Sequence, residues 1–133
     1  LPSNLTLHGY LSSEEYLKVL ARADVAISSL ALHRIQLDEA STLKSRECLA
    51  LGLPLVVAYT DTDLDEAGFD FLLKIPNKED NIQTHGEVIR EFAYRMRGVR
   101  ADRAALKDRI DAARKEELRL KFFEEFTDLK SGR

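Results

Sequence analysis

Glu39 and Glu47 stand eight positions apart, and the short polar segment Ala40-Ser41-Thr42 follows the first of them. Ser and Thr are N-cap residues, so a helix is expected to begin at or just before Ser41 and Thr42 and to close on Gly52 and Pro54. The first turn of such a helix presents unpaired backbone N–H groups and the positive end of the helix dipole, a combination suited to phosphate. Residues three and four apart meet on a helix surface, which groups Leu43, Lys44 and Glu47 on one side. Glu47 then sits about one turn behind the phosphate-facing end, where a carboxylate can accept two hydrogen bonds from a ribose diol. Glu39 lies just outside the helix and could face whatever the far phosphate carries. Lys44 either neutralises phosphate or pairs with Glu47. In the loop leading in, Arg34, beside His33, offers a charge-assisted fork for phosphate. Against each reading stands a plainer one: a solvated helix glutamate or lysine, a loop carboxylate, a surface arginine. The order of groups fits a ligand built as sugar, diphosphate and nucleoside in a row.

Alternating strands and helices are expected to position these residues. Residues 4–9, NLTLHG, alternate and end in Gly, the pattern of a strand. Ser12-Ser13-Glu14-Glu15 supplies caps and first-turn acids, and Tyr16, Leu17, Leu20 and Ala21 follow at helical spacing. Residues 24–29, DVAISS, read as a buried parallel strand, and residues 55–59, LVVAY, as the clearest strand in the chain. An acidic loop with Asp61, Asp63, Asp65, Glu66 and Asp70 leads to a further strand at 71–75, FLLKI, stopped by Pro76. A helix is expected over 80–97, with Ile82, Val88, Ile89, Phe92 and Met96 inward and Gly98 as its break. A second runs from 100 to about 120, anchored by Leu106, Ile110 and Ala113, with the aromatic cluster Phe122, Phe123 and Phe126 after it. This succession predicts a parallel sheet with helical crossovers. Ligands of such sheets gather beyond the carboxyl ends of the strands, where Ser28-Ser29, loop 30–39 and residues 59–63 fall.

Glu39-x7-Glu47, followed by Ala50-Leu51-Gly52-Leu53-Pro54 and a hydrophobic strand, resembles the C-terminal donor-binding domain of the retaining glycosyltransferases of GT-B fold (group 1, family 4-like). The wider string from Leu32-His33-Arg34 to Glu47 is similar to the bacterial branch of that family. The resemblance covers residues 4–75 well and the helical tail loosely. It implies an α/β fold, a Rossmann-like parallel sheet of about four strands with flanking helices and a helical C-terminal tail. It implies transfer of a hexosyl group from a nucleotide-diphosphate sugar to a hydroxyl of a sugar, lipid-linked or polysaccharide acceptor, with retention. Glu47 would grip the ribose, and Glu39, in the catalytic position, the hydroxyls of the donor sugar. The backbone of Ser41, Thr42 and Leu43 would cradle the diphosphate, with Lys44 and Arg34 beside it. No cofactor and no bound metal are implied, and the setting would be cytoplasmic, with room for contact at the inner face of the membrane. Family members also take a Lys and an Arg from an earlier segment and the acceptor site from an N-terminal domain, neither of which precedes Leu1. The 133 residues are therefore expected to be a single domain of a longer enzyme and inactive alone.

Composition narrows the remaining classes. With 44% hydrophobic and 32% charged residues the chain reads as an ordinary globular domain. A net charge of −3 argues against nucleic-acid binding by the whole chain. The single cysteine, Cys48, excludes an internal disulfide and a cysteine-built metal site, and is expected to be buried. Asp61, Asp63 and Asp65 alternate, yet the glycine and terminal glutamate of a calcium loop are missing. His8 and His85 have no partner constellation. Eleven of the twenty Lys and Arg residues fall between Arg90 and Lys121, against six acids, and the run Arg95, Arg97, Arg100, Arg103 reads as a solvated face or a membrane-surface contact. Two rivals belong to other classes, a non-catalytic α/β interaction module and another nucleotide-binding domain. A dinucleotide enzyme is disfavoured because no Gly-x-Gly-x-x-Gly follows a strand.

Overall fold

The computed structural model describes residues 2–65 and 68–131; Glu66, one of the expected loop acids, lies outside the described residues. Helix α1 (Ser13–Ala21) leads to β1 (Ala26–Ile27), a single 3-10 turn (Leu32–Ile35) and helix α2 (Leu43–Ala50). Strands β2 (Leu55–Val57) and β3 (Leu72–Lys74) follow, then α3 (Asn81–Arg95), α4 (Arg103–Ile110) and α5 (Ala112–Ser131). The three strands form one parallel sheet in the order β1-β2-β3, with Ala26 opposite Leu55 and Leu55 opposite Leu72.

β2 is the centre of the molecule, and all three of its residues are buried. Successive side chains of a strand point to opposite faces. Leu55, Val57 and Tyr59 accordingly pack with Cys48 and Leu49 of α2 and Leu106 of α4. Val56, between them, packs with Phe92 and Met96 from α3 and its end. Helices thus cover both faces, which is what a run as apolar as LVV requires.

Local chemistry explains the helix ends. Ser12 and Glu15 close a capping box at the start of α1, each bonding the other's backbone N–H. Helix α2 ends in a Schellman motif: Leu53 N–H donates to Cys48 O and Gly52 N–H to Leu49 O, both at 2.9 Å. Gly52 makes that turn at φ +77°, a conformation that costs other residues about 1–2 kcal/mol. Its carbonyl then accepts Ala101 N–H at 2.8 Å, tying the turn to the segment before α4.

Four expectations change, the first being the buried strand expected over 24–29, of which only Ala26–Ile27 forms, with Ile27 51% exposed. Residues 4–9 form no strand, so the described residues hold three strands where about four were expected; Leu5 and Leu7 are exposed. Alternation makes a strand only where a neighbouring strand takes up the backbone groups, and in residues 4–9 only Leu5 N–H has a backbone partner among the described residues, Pro2 O. The helix expected from 100 to about 120 is two helices. Asp111 leaves the helical conformation at ψ 122° and its carboxylate accepts the Ala113 and Arg114 N–H groups, starting α5. On α3, Phe92 and Met96 are buried and Ile89 packs beside them, whereas Ile82 and Val88 face outward. The expected aromatic cluster forms along an exposed stretch of α5, where Phe122 stacks on Phe126 and meets Phe123 edge-to-face.

Candidate functional site

Thr42 is the N-cap of α2, its hydroxyl accepting Ser45 N–H at 3.3 Å. The start of the helix is seated on the carboxyl ends of two strands. Ser28, just past β1, and Tyr59, just past β2, meet Thr42 and Ser45 in a cluster of four hydroxyls. Ser45 lies 2.6 Å from Tyr59 and 2.8 Å from both Ser28 and Thr42, and Thr42 lies 3.0 Å from Tyr59. Ser28, Ser45 and Tyr59 are buried. Tyr59 falls at the carboxyl end of β2, where ligands are expected to gather, yet it is a core residue whose hydroxyl anchors the helix.

Glu39 precedes α2 in an isolated parallel bridge with Thr60. Ala40 N–H donates to Thr60 O at 3.0 Å and Thr60 N–H to Asp38 O at 2.9 Å. The backbone that delivers Glu39 is therefore an extension of the sheet beyond β2, and the side chain faces solvent. Among the described residues, the amides of Ser41, Thr42, Leu43 and Lys44 donate to no protein acceptor. These are the orphan donors of a helix start together with the two residues leading into it.

The side chains of this stretch divide into engaged and open. Ser41 accepts from Arg46 at 2.8 Å, and Thr42 belongs to the hydroxyl cluster, so neither hydroxyl points freely at the helix tip. Glu47 is exposed and accepts a hydrogen bond from the Tyr16 hydroxyl of α1 at 3.1 Å. Burial, and then the Glu47 carboxylate, raise the Tyr16 pKa above its ordinary value, which keeps the phenol protonated as the donor. Glu39, Arg34 and Lys44 are exposed, and no hydrogen bond or ion pair engages their side chains among the described residues. Lys44 is thus not paired with Glu47, and Arg34, on the 3-10 turn, meets none of the other site residues through a hydrogen bond. Leu43 is 86% exposed at the head of α2, so it contributes backbone and no packing.

Three features were not read from the sequence. Arg46 forks onto both oxygens of Asp61 at 2.8 Å and reaches Asp63 at 2.6 Å while holding Ser41. Burial alone would lower the Arg46 pKa; the bonds to Asp61 and Asp63 outweigh it and raise it, so the guanidinium stays charged. Lys115 of α5 also pairs with Asp63, and Lys74 of β3 with Asp65. The acids that suggested a cation loop are in this way matched by the chain's own cations. Next, Asn77 and Asn81 reach across from the start of α3 to loop 30–38. Lastly, both imidazole nitrogens of His33 are buried without a hydrogen-bond partner among the described residues. The two asparagines after Pro76, at 77 and 81, give no hint of such partners in the sequence, because a loop some forty to fifty positions away supplies them.

The basic run is also partly structural. Arg100 donates to Ala23 O and Ala21 O at the end of α1, where a cation meets the negative end of the helix dipole. Arg95 and Arg97 lie over the rings of Phe92 and Tyr94, each at 5.5 Å. No described helix is long and apolar enough to cross a membrane. Among the described residues no group of three His, Cys, Asp or Glu side chains is arranged to hold a metal ion. A groove of 710 Å³ opens between α2 and α4 over Leu49, Ala50, Leu106 and Ile110, with Glu47 at its rim and none of residues 41–44 in its wall. Comparison with protein-family models, with curated proteins and with solved structures found no match for the chain.

Proposed function

We propose that this chain is the donor-binding part of a retaining, GT-B-type glycosyltransferase, and that its sheet belongs to a Rossmann-like arrangement. The observation that carries this reading is the row of open amides from Ser41 to Lys44, at the carboxyl ends of β1 and β2, with exposed carboxylates before and after it. Amides and helix dipole would hold the diphosphate and oppose the charge that builds on it as the glycosidic bond breaks, the role of an oxyanion hole. Lys44 and Arg34, whose charges no described acid matches, would add to that field. Glu47 would bind the ribose diol, keeping Tyr16 on one carboxylate oxygen and offering the other to the sugar. Glu39 would hold the donor sugar. On this reading the donor is a nucleotide-diphosphate hexose, and the acceptor hydroxyl is presented by an N-terminal domain outside the 133 residues. Turnover then needs both parts.

The test is a titration with uridine, guanosine and adenosine diphosphates followed by amide shifts in nuclear magnetic resonance. Shifts confined to residues 39–47 are expected; none at about millimolar ligand (a binding free energy near 4 kcal/mol) would refute donor binding by this chain. Glu47→Ala should weaken the nucleoside diphosphate roughly five- to tenfold, as loss of a charged hydrogen-bond acceptor does, and leave inorganic phosphate unchanged. Equal weakening of both contradicts the ribose role. The α/β interaction module draws on one observation, the inward engagement of the Ser41 and Thr42 hydroxyls, and it requires a silent titration.

A further inference from the structure

Loop 30–38 connects β1 to Glu39, and two asparagines that follow β3, at the same carboxyl end of the sheet, hold it. Asn77 uses its whole amide. Its Oδ1 accepts His33 N–H at 3.0 Å, and its Nδ2 donates to Leu37 O and to Asp38 Oδ1, both at 3.0 Å. Those partners fix which way round the amide sits, since a flipped amide would set oxygen against two acceptors and nitrogen against a donor. Asn81, buried, donates to Leu30 O at 2.8 Å. Asp38, clamped by Asn77, passes its carbonyl to Thr60 N–H, and Thr60 bridges Glu39. The polar contacts that start at Asn77 hold Asp38 directly and, through Thr60, Ala40, the two residues on either side of Glu39.

We propose that Asn77 is a positioning residue for the Glu39 end of the site, setting where that carboxylate meets the sugar of the donor; this rests on the donor-binding reading above. The clamp touches the Glu39 side and no residue of the helix tip. Its loss should therefore strip the affinity that the sugar adds while sparing the diphosphate and nucleoside. A role in stability alone would lower both together or neither.

The experiment compares each nucleoside diphosphate with its sugar conjugate, UDP with UDP-glucose, GDP with GDP-mannose and ADP with ADP-glucose, on the wild-type chain and on Asn77→Asp. The aspartate keeps the acceptor for His33 N–H but turns both donations into repulsion. The expected result is nucleoside diphosphate affinity within about twofold of wild type and a fall of roughly five- to tenfold in affinity for the conjugate, the effect of one or two lost hydrogen bonds. Should Asn77→Asp fail to fold, Asn77→Ser removes the donations without adding charge. Asp38→Asn, which retains an accepting oxygen, should keep the wild-type ratio. An unchanged ratio in a folded Asn77 variant overturns the positioning role while leaving donor binding intact. A wild type that binds none of these ligands overturns the donor reading first, and the Asn77 proposal with it.

Discussion

Arg46 offers the sharpest test of how the candidate site is supported. Its side chain is 14% exposed, that of Asp61 is 1% and that of Asp63 is 19%. Replacing Arg46 with Met keeps the stem and removes the charge. Asp63 retains Lys115, so its half of the loss is small, about 0–1 kcal/mol for a partly solvated pair. Asp61 is different. It would keep a buried carboxylate with, among the described residues, only the Asp63 N–H at 3.1 Å as donor to its side chain, and stranding a buried charge costs about 3–5 kcal/mol. A domain has only about 5–15 kcal/mol in total, so Arg46→Met should fall far down in urea midpoint by circular dichroism, read with the slope checked for constancy. Arg46→Lys keeps the charge but not the fork, and a loss of about 1–2 kcal/mol is expected. Pairing Arg46→Met with Asp61→Asn removes the stranded charge and keeps an acceptor for Asp63 N–H. The double variant should recover about 2–3 kcal/mol relative to the sum of the singles. A single variant costing under about 1 kcal/mol, or strict additivity in the double, would refute the claim that Asp61 depends on Arg46.

Two further outcomes follow from the same physical terms. Burial pushes the Asp63 carboxyl up, but Lys115 and Arg46 outweigh it and hold the carboxyl below its ordinary range. A depressed folded pKa gives stability that is full above the unfolded value near about 4 and is lost as pH falls through the folded one. The stability gap between wild type and Lys115→Met, measured by urea unfolding, should therefore be open at about pH 7 and narrow as pH falls past the unfolded value and through the depressed folded one; a gap independent of pH contradicts the pairing. Separately, His33→Leu removes two buried nitrogens that have no described partner while leaving the backbone bond to Asn77. It should gain about 1 kcal/mol of stability, and a loss instead would mean that the imidazole nitrogens are bonded.

The sequence carried the fold where the determinant is local. Ser12 with Glu15, Thr42 before Leu43, and Gly52 after Leu51 are each read within one turn of chain, and each forms as expected. LVV is apolar on both faces, and both faces are buried. Where the determinant is a distant partner, periodicity misleads. NLTLHG alternates as well as many strands do, yet no described strand pairs with it. Val88 and Ile82 are apolar, but the buried face of α3 runs through Asn81, Ile89, Phe92 and Met96, and both residues lie off it. The tail helix read as continuous because aspartate is tolerable inside a helix; Asp111 breaks it by capping α5. For the site, residue type and spacing located the helix start and its exposed acids, and the structure bears out the start at Thr42 and the exposure of Glu39 and Glu47. The engagement of each side chain was beyond spacing: the Ser41 hydroxyl is held by Arg46 and the Tyr59 hydroxyl by Ser28, while the Ser41 amide stays open among the described residues.

The hydroxyl cluster shows why the helix start is held in place from within. Six pairs among Ser28, Thr42, Ser45 and Tyr59 lie within 3.5 Å, but four hydroxyls carry only four protons. At most four of those pairs are bonded at once, and several arrangements satisfy every donor. One of them runs from Ser28 to Ser45, to Tyr59, to Thr42 and back to Ser28, with the Thr42 oxygen also accepting Ser45 N–H. Such a cluster tolerates a change in one proton's direction without stranding an oxygen, whereas moving any of its members breaks three contacts together. The tip of α2 is consequently fixed against β1 and β2 by buried groups. Its open amides are oriented before anything reaches them, and a ligand that binds there does not bear the cost of ordering its own donors.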